Sequence, residues 1–502
     1  MDPIAPAQVS TGIAGLDHLL QGGLPAHELY LVTGEAGTGK TTLALQFLLA
    51  GLRAGQRVLY LTLSQSAPAL RAIARSHGWA LEGMTLQELA AFGPAEQAAG
   101  EQTVFRSAEV ELSELTAEFL AAIERVQPER LAFNSLVQLR LLANDALHFQ
   151  RQLFALRQYM AGRRCTTLLI DVAQDEPAGR DVQDLSHGVL RLERWAPEYG
   201  NVRRRLLIQK MRGLAVHGGY HNFTLRTGGL EVYPRLPVDP RRDEPEGRPA
   251  IPSGLAALDA LLGGGLQAGS ATLILGATGT GKTSLATLYA HAAAQRGERV
   301  ALFLFEERLE TFFARAAGLG LDLRPFAERG LVAARQVNAG DLSPGEFSDV
   351  VRRAVDQDGA RVALIDSLSG YFHAMPQEGQ LLAQMHELLS FLSQRGVLSL
   401  LVVGQHGIAG QGIAGPLDIS YMCDTLLLLR HFDAGGEVRK AIAVIKKRAG
   451  PHERTIRELR FEAGGVRVGE PLRHFEGLLS GTPRFQGEVD ALLGGQAPPG
   501  AP

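Results

Sequence analysis

The chain has 502 residues, 45% hydrophobic and 21% charged, with a formal net charge of −3. That length suits two or three domains with a sizeable core each, and the near-neutral charge gives no general pull toward nucleic acid or an acidic membrane surface. The two cysteines, Cys165 and Cys423, make a disulfide framework or a thiolate metal centre an unexpected outcome and fit a reducing cytoplasm.

From the N-terminus, residues 1–10 (MDPIAPAQVS) have neither the basic start nor the apolar run of a signal peptide. A short apolar strand, ELYLVTG, ends in glycine and runs through a glycine-rich turn into the helical pattern TTLALQFLLAGLRAG. The continuous apolar run RVLYLTL then predicts a buried parallel strand, followed by the strands RLAFNS and CTTLLIDV. The Pro- and charge-rich residues 235–249 read as an exposed linker between a first domain, 1–234, and a second, 250–470. The second domain repeats the order: ATLILG, the helix TSLATLYAHAAAQRG, then RVALFLF, RVALIDS and LSLLVVG. The last of these is strand-sized and too short to span a bilayer. Residues 471–502 form a C-terminal segment with a disordered tail, GGQAPPGAP. Alternation of this kind predicts an α/β fold in each domain, a mostly parallel sheet with helices on both faces.

The repeat is explicit in the residues. TGIAGLDHLLQGGLPAHELYLVTGEAGTGKTT, 11–42, parallels SGLAALDALLGGGLQAGSATLILGATGTGKTS, 253–284, and the loop lysines Lys40 and Lys282 lie 242 residues apart. A period this long means tandem domains. Both copies match the phosphate-loop pattern G-x-x-x-x-G-K-[ST] in full, each after a strand and opening a helix. The candidate nucleotide-binding residues are therefore Gly34, Gly37, Thr38, Gly39, Lys40, Thr41 and Thr42, and Gly276, Gly279, Thr280, Gly281, Lys282, Thr283 and Ser284. Backbone N–H groups and the helix N-terminus cradle phosphates, the lysine bridges their oxygens, and Thr41 or Thr283 reaches Mg²⁺. Lysine occurs only six times, against 44 arginines, so its use inside both loops is selective.

The copies differ in their acids. Glu306 and Glu307 end the strand after the second loop and are placed to take a proton from an attacking water; Ser64 and Gln65 stand there in the first copy. The plain alternative is a pair of solvated strand-end charges. Asp366 ends RVALID as a Mg²⁺-supporting carboxylate, and its counterpart is Asn134, because each precedes the matching leucine of the next strand, Leu400 or Leu168, by 34 residues. Asp171 is a tempting substitute but belongs to that following strand. The first domain thus reads as ATP-binding but catalytically degenerate, and the second as the active ATPase, with Lys282, Glu306, Glu307 and Asp366 catalytic.

Together with the TG-x-x-x-LD and SG-x-x-x-LD segments at 11–17 and 253–259, KMRG at 210–213, KKRAGPHERTIREL at 446–459 and FEGLLSGTPR at 475–484, these features resemble the KaiC family of RecA-like ATPases over nearly the whole chain. The resemblance implies two tandem RecA-like P-loop domains and a homo-oligomeric, hexameric ring with ATP between subunits. In such a ring Lys210 and Arg212, and Lys446 and Arg448, reach the γ-phosphate held by a neighbour. It also implies autophosphorylation of a Ser-Thr pair, matched here by Ser420 and Tyr421. The departure lies in the first domain, which lacks the family's glutamates. That suggests a nucleotide-dependent assembly ring serving a signalling or regulatory partner, and argues against a clock oscillator.

Two alternatives stand beside the ATPase: a non-catalytic ATP-gated scaffold and a RecA-like DNA-dependent ATPase. The glycine-rich segment 405–416 has no Lys, Arg or aromatic residue, which argues against nucleic acid. HGGYH, 217–221, has ligand-like histidine spacing, but its glycines break a helical face.

Overall fold

The computed structural model describes residues 7–89, 108–143, 146–173, 177–197, 200–236, 247–338, 340–373, 380–404, 419–462, 465–479 and 484–486. Most of the expected linker, the glycine-rich segment 405–416, the middle of 475–484 and the C-terminal tail lie outside them. The chain divides into two compact units, residues 1–235 and 236–502.

The first unit opens with a small ribbon of β1 (Gln8–Val9) and β2 (Leu24–Pro25). Its main sheet contains β3 (Leu29–Gly34), β4 (Val58–Thr62), β5 (Thr85–Glu88), β6 (Arg130–Asn134), β7 (Thr166–Asp171), β8 (Gly188–Trp195), β9 (Arg203–Met211), β10 (Tyr220–Arg226) and β11 (Gly229–Tyr233). The spatial order is β11-β10-β9-β8-β3-β7-β6-β4-β5. Strands β8 through β5 in that order are parallel, and β9, β10 and β11 extend the sheet antiparallel.

The second unit repeats this plan. A ribbon of β12 (Ala250–Ile251) and β13 (Leu266–Gln267) precedes β14 (Ala271–Gly276), β15 (Val300–Leu304), β16 (Val332–Gln336), β17 (Val362–Asp366), β18 (Leu398–Gly404), β19 (Thr425–Ala434), β20 (Glu437–Lys447), β21 (Arg457–Glu462) and β22 (Gly465–Pro471). Their order is β16-β15-β17-β18-β14-β19-β20-β21-β22.

The apolar runs read from sequence become parallel strands because both faces are covered. Alternate residues feed two different cores, as a pleated strand requires. In the second unit Leu273, Leu275, Phe303, Ile365 and Leu401 enter one core, and Ile274, Leu302, Leu304, Leu364 and Leu400 the other. The first unit divides likewise: Leu31, Leu61 and Phe133 face one way, Val32, Tyr60 and Ala132 the other. The tandem RecA-like architecture with mostly parallel sheets is therefore as expected. The antiparallel extensions β9–β11 and β20–β22 were not read from sequence, because half-buried alternating hairpins lack the long apolar run that marks a central strand.

Candidate functional site

Each phosphate loop joins a central parallel strand to a helix, Gly34 to Lys40–Arg53 and Gly276 to Lys282–Gln295. Glycine is needed at the turn itself: Gly39 and Gly281 have φ of 109° and 96°, in the left-handed region. A Cβ on Gly276 would also fall 2.4 Å from the carbonyl oxygen of Leu429 on β19. The buried Thr38 and Thr280 hydroxyls donate to the carbonyls of Glu35 and Ala277, at 2.9 and 2.8 Å, so these side chains brace the loops from within. Lys40 Nζ donates to the carbonyls of Gly34 (2.5 Å) and Glu35 (2.8 Å), and Lys282 Nζ to that of Ala277 (2.9 Å).

In the second domain the loop opens on a cavity of about 750 Å³. Gly279, Gly281, Lys282, Thr283, Ser284, Glu306 and Asp366 all line it. β15 and β17 pair with Leu304 opposite Asp366, so the ends of two adjacent strands deliver Glu306 and Asp366 to one place. Burial pushes the Asp366 carboxyl up to about 6, opposed by a hydrogen bond from Thr283 and the charge of Arg315, and reinforced by Glu307 and Glu306. Burial lowers the Lys282 ammonium, and the charges of Asp366 and Glu306 act against that shift.

The paired glutamates separate in space. Glu306 faces the cavity, where Ser367 Oγ donates to its Oε1 at 2.7 Å. Glu307 turns to Arg315 in a two-pronged ion pair of 3.1 and 2.8 Å, and the same guanidinium donates to Ser284 Oγ at 3.1 Å.

The first domain keeps the loop and replaces the acids with a neutral network. Thr62 lies opposite Asn134, as Leu304 lies opposite Asp366. Phe133 pairs with Leu169, as Ile365 pairs with Leu401. This register makes Asn134 the counterpart of Asp366 and puts Asp171 one strand further on. Asn134 Nδ2 donates to Gln65 Oε1 (3.0 Å) and the Tyr60 hydroxyl (3.2 Å), and Thr41 Oγ1 donates to Gln65 Oε1 at 3.4 Å. Thr42 Oγ1 meets His77 Nε2 at 3.4 Å.

The Lys-x-Arg segments occupy matching places. Lys210 pairs with Val189 across β9 and β8, and Lys446 with Leu426 across β20 and β19. Lys210 Nζ donates to the carbonyls of Gln183 (2.6 Å) and Asp184 (3.2 Å), and Arg212 to that of Asp184 (2.9 Å). Lys446 Nζ donates to the carbonyls of Ser420 (2.9 Å) and Cys423 (2.7 Å), and Arg448 to that of Tyr421 (2.6 Å). None of the four joins its own domain's phosphate loop. Leu426 faces Leu273, three residues before the end of β14, so Lys446 sits toward the opposite end of the sheet from Lys282. Ser420 lies in the short 3₁₀ turn Ser420–Met422 that Lys446 and Arg448 hold.

Several cavity residues were missed in the sequence: Arg315, Leu319, Ser367, Lys440 and Phe461. Lys440 lies 4.9 Å from the centre of the Phe461 ring. The scarcity of lysine was the one signal that could have found it. His221 Nε2 meets the carbonyl of His217 at 3.0 Å, and the His217 ring stacks on His18, so the HGGYH histidines point to different partners. Among the described residues no helix is long and apolar enough to cross a membrane.

A phosphate loop on a central strand, with a strand inserted between it and the one bearing the Asp or Asn, defines tandem P-loop domains of the RecA-like class. The family model for the KaiC ATPase matches residues 9–236 and again 251–473, and the chain belongs to that family. It is 28% identical over 501 residues to circadian clock protein KaiC3 of Synechocystis sp., covering 97% of each chain. It is also 28% identical to the circadian clock oscillator protein KaiC of Thermosynechococcus vestitus, covering 95% of this chain and 92% of that one. The KaiC of Prochlorococcus marinus is 28% identical, with 95% of each chain covered.

Proposed function

We propose that the second domain hydrolyses ATP while the first binds nucleotide to hold an assembly together. One observation carries this reading. Glu306 shares a cavity with Lys282, Thr283 and Asp366, whereas the matching first-domain positions hold Ser64 and Asn134. In this reading Lys282 bridges the phosphates and Glu306, held by Ser367, takes the proton of the attacking water. Such assistance is worth on the order of 10²–10⁴ in rate. Glu307 acts through Arg315, keeping that guanidinium against Ser284 beside the loop.

The Thr283 hydroxyl and the Asp366 carboxylate are a hard, oxygen-only pair at the loop's end, a donor set that suits Mg²⁺. When bound, the ion offsets charge on the phosphates. In the first domain Thr41 would meet it beside the amides of Gln65 and Asn134.

Lys446 and Arg448, and Lys210 and Arg212, lie too far from their own loops to serve them, and a head-to-tail ring would offer them to a neighbour's nucleotide. A cation supplied in trans is worth on the order of 10³–10⁵ in phosphoryl transfer. A hexamer is the family's expected closure of that ring. Ser420 shares its turn with these cations, so the same approach would bring its hydroxyl toward a neighbour's γ-phosphate and allow autophosphorylation. The partner that reads the ring's state is expected to be a signalling protein.

The test is phosphate release and phosphoprotein formation from ATP, comparing wild type with Glu306→Gln. Loss of both signals with ATP binding retained supports the reading. Background signals from wild type would leave a nucleotide-gated scaffold in its place.

A further inference from the structure

The first domain contains a half-buried ion pair, with its carboxylate buried, where the second has two apolar side chains. Arg140 Nη2 donates to Asp171 Oδ2 at 2.7 Å, and the Asp171 side chain is 4% exposed. By the register that aligns Asn134 with Asp366, Arg140 corresponds to Phe372 and Asp171 to Val403, both buried. A packed Phe–Val contact is usually as stable as a buried ion pair or more so, because it escapes desolvation of two charges. Stability alone therefore does not account for the exchange.

The location does. β7 lies directly beside the loop strand β3, with Asp171 opposite Thr33, one residue before the loop begins. The carbonyl of Gly34 accepts from Lys40 Nζ at 2.5 Å and from the backbone N–H of Ala173, two residues after Asp171, at 3.3 Å. The chain bearing Asp171 and the loop lysine thus converge on one oxygen. Arg140 fixes the carboxylate, and its own guanidinium lies 4.9 Å from the Phe149 ring centre.

We propose that the Asp171–Arg140 pair is the positioning element of the first phosphate loop, bracing from the neighbouring strand the chain that shares the Gly34 carbonyl with Lys40. It rests on the reading of the first domain as a nucleotide holder.

The test measures mant-ATP affinity of the full-length chain in a Lys282→Ala background, so that the first site alone is read. Arg140→Phe/Asp171→Val installs the second domain's own apolar pair. It should melt close to the parent yet bind roughly tenfold more weakly, about 1.4 kcal/mol, once the loop loses its brace on the neighbouring strand. Arg140→Gln/Asp171→Asn, which keeps a polar contact without charge, should show the same loss and serves if the apolar swap does not fold. Parental affinity in either folded double variant overturns the proposal and leaves the pair a packing exchange. Lys40→Ala separates the two levels. If it abolishes binding while the double variants do not, only the positioning role fails; if it binds as the parent does, the nucleotide-holder reading fails.

Discussion

Asp366→Asn should make the second domain more stable while stopping its turnover. Asp366 sits at the end of β17, its carboxyl pushed from an ordinary value near 3.8 up to about 6, chiefly by burial. A raised carboxylate is a charge the fold disfavours. Below about pH 4 it is protonated folded and unfolded alike, and the penalty is absent. Between about pH 4 and 6 the folded state holds the proton more tightly, so stability falls as pH rises. Above 6 the full cost is present, about 3 kcal/mol from the difference in affinity for the proton. Because Asp366 opens onto the cavity, water screens part of that cost, and about 1–2 kcal/mol is the expected gain for Asn at pH 7.5. At pH 4 the gain should vanish. The first domain already carries this substitution as Asn134, satisfied by Gln65 and Tyr60. The assay is urea unfolding at the two pH values, followed by far-UV circular dichroism. Both tryptophans, Trp79 and Trp195, lie in the first domain, so their fluorescence serves as an internal control. An Asn variant less stable than wild type at pH 7.5, or equally stabilised at both pH values, would refute the reasoning.

The free site should lose its anionic Asp366 as pH falls through about 6, so phosphate release at ATP well below saturation should drop up to tenfold per unit below that point; a flat profile from pH 7.5 to 5 would argue that this carboxylate is not needed ionised. Arg315→Met should release Glu307 and reduce turnover, with a stability loss of only about 1 kcal/mol, since both partners of the ion pair are about a quarter exposed or more; unchanged turnover would make the pair structural. Mixing Lys282→Ala with Lys446→Ala protein should restore part of the phosphate release that each lacks alone, because a mixed ring joins an intact loop to an intact neighbour's lysine; no recovery in co-assembled rings would sink the trans arrangement. Lys40→Ala should weaken ATP-dependent assembly, read by size-exclusion chromatography, more than it lowers turnover per assembled ring.

The parts of this molecule legible in sequence were those fixed by local chemistry. Phosphate loops announce themselves because backbone curvature demands glycine at set positions, and Gly39 and Gly281 adopt the left-handed φ that the pattern anticipates. The central strands were legible because burial on both faces forces unbroken apolar runs such as VALFL in β15. The register of Asn134 with Asp366 followed from counting to the next strand. The division of Glu306 from Glu307 was not legible. Adjacent residues just past a strand end point in different directions, and which one faces the nucleotide depends on Arg315, eight residues further along on another element. Lys440 and Phe461 were missed because they arrive from antiparallel strands far along the chain, with no motif around them.

Comparison of the two domains argues that the first was rebuilt rather than left to decay. Random loss of Glu306 and Asp366 equivalents would leave Thr41 and Lys40 facing gaps. Instead Gln65, Asn134 and Tyr60 hydrogen-bond one another around the Thr41 hydroxyl. Tyr60 stands where the second domain has Leu302, and its hydroxyl is pushed up to about 12 by burial, so it stays a neutral donor and acceptor. Arg315 has no counterpart because Ile73 takes its place, consistent with the loss of the glutamate it would pair. The substitutions fit one another: the amide at Gln65 accepts from the amide at Asn134 and from the Thr41 hydroxyl. A set of mutually satisfied polar groups beside an intact phosphate loop supports the proposed nucleotide-holding role of the first domain.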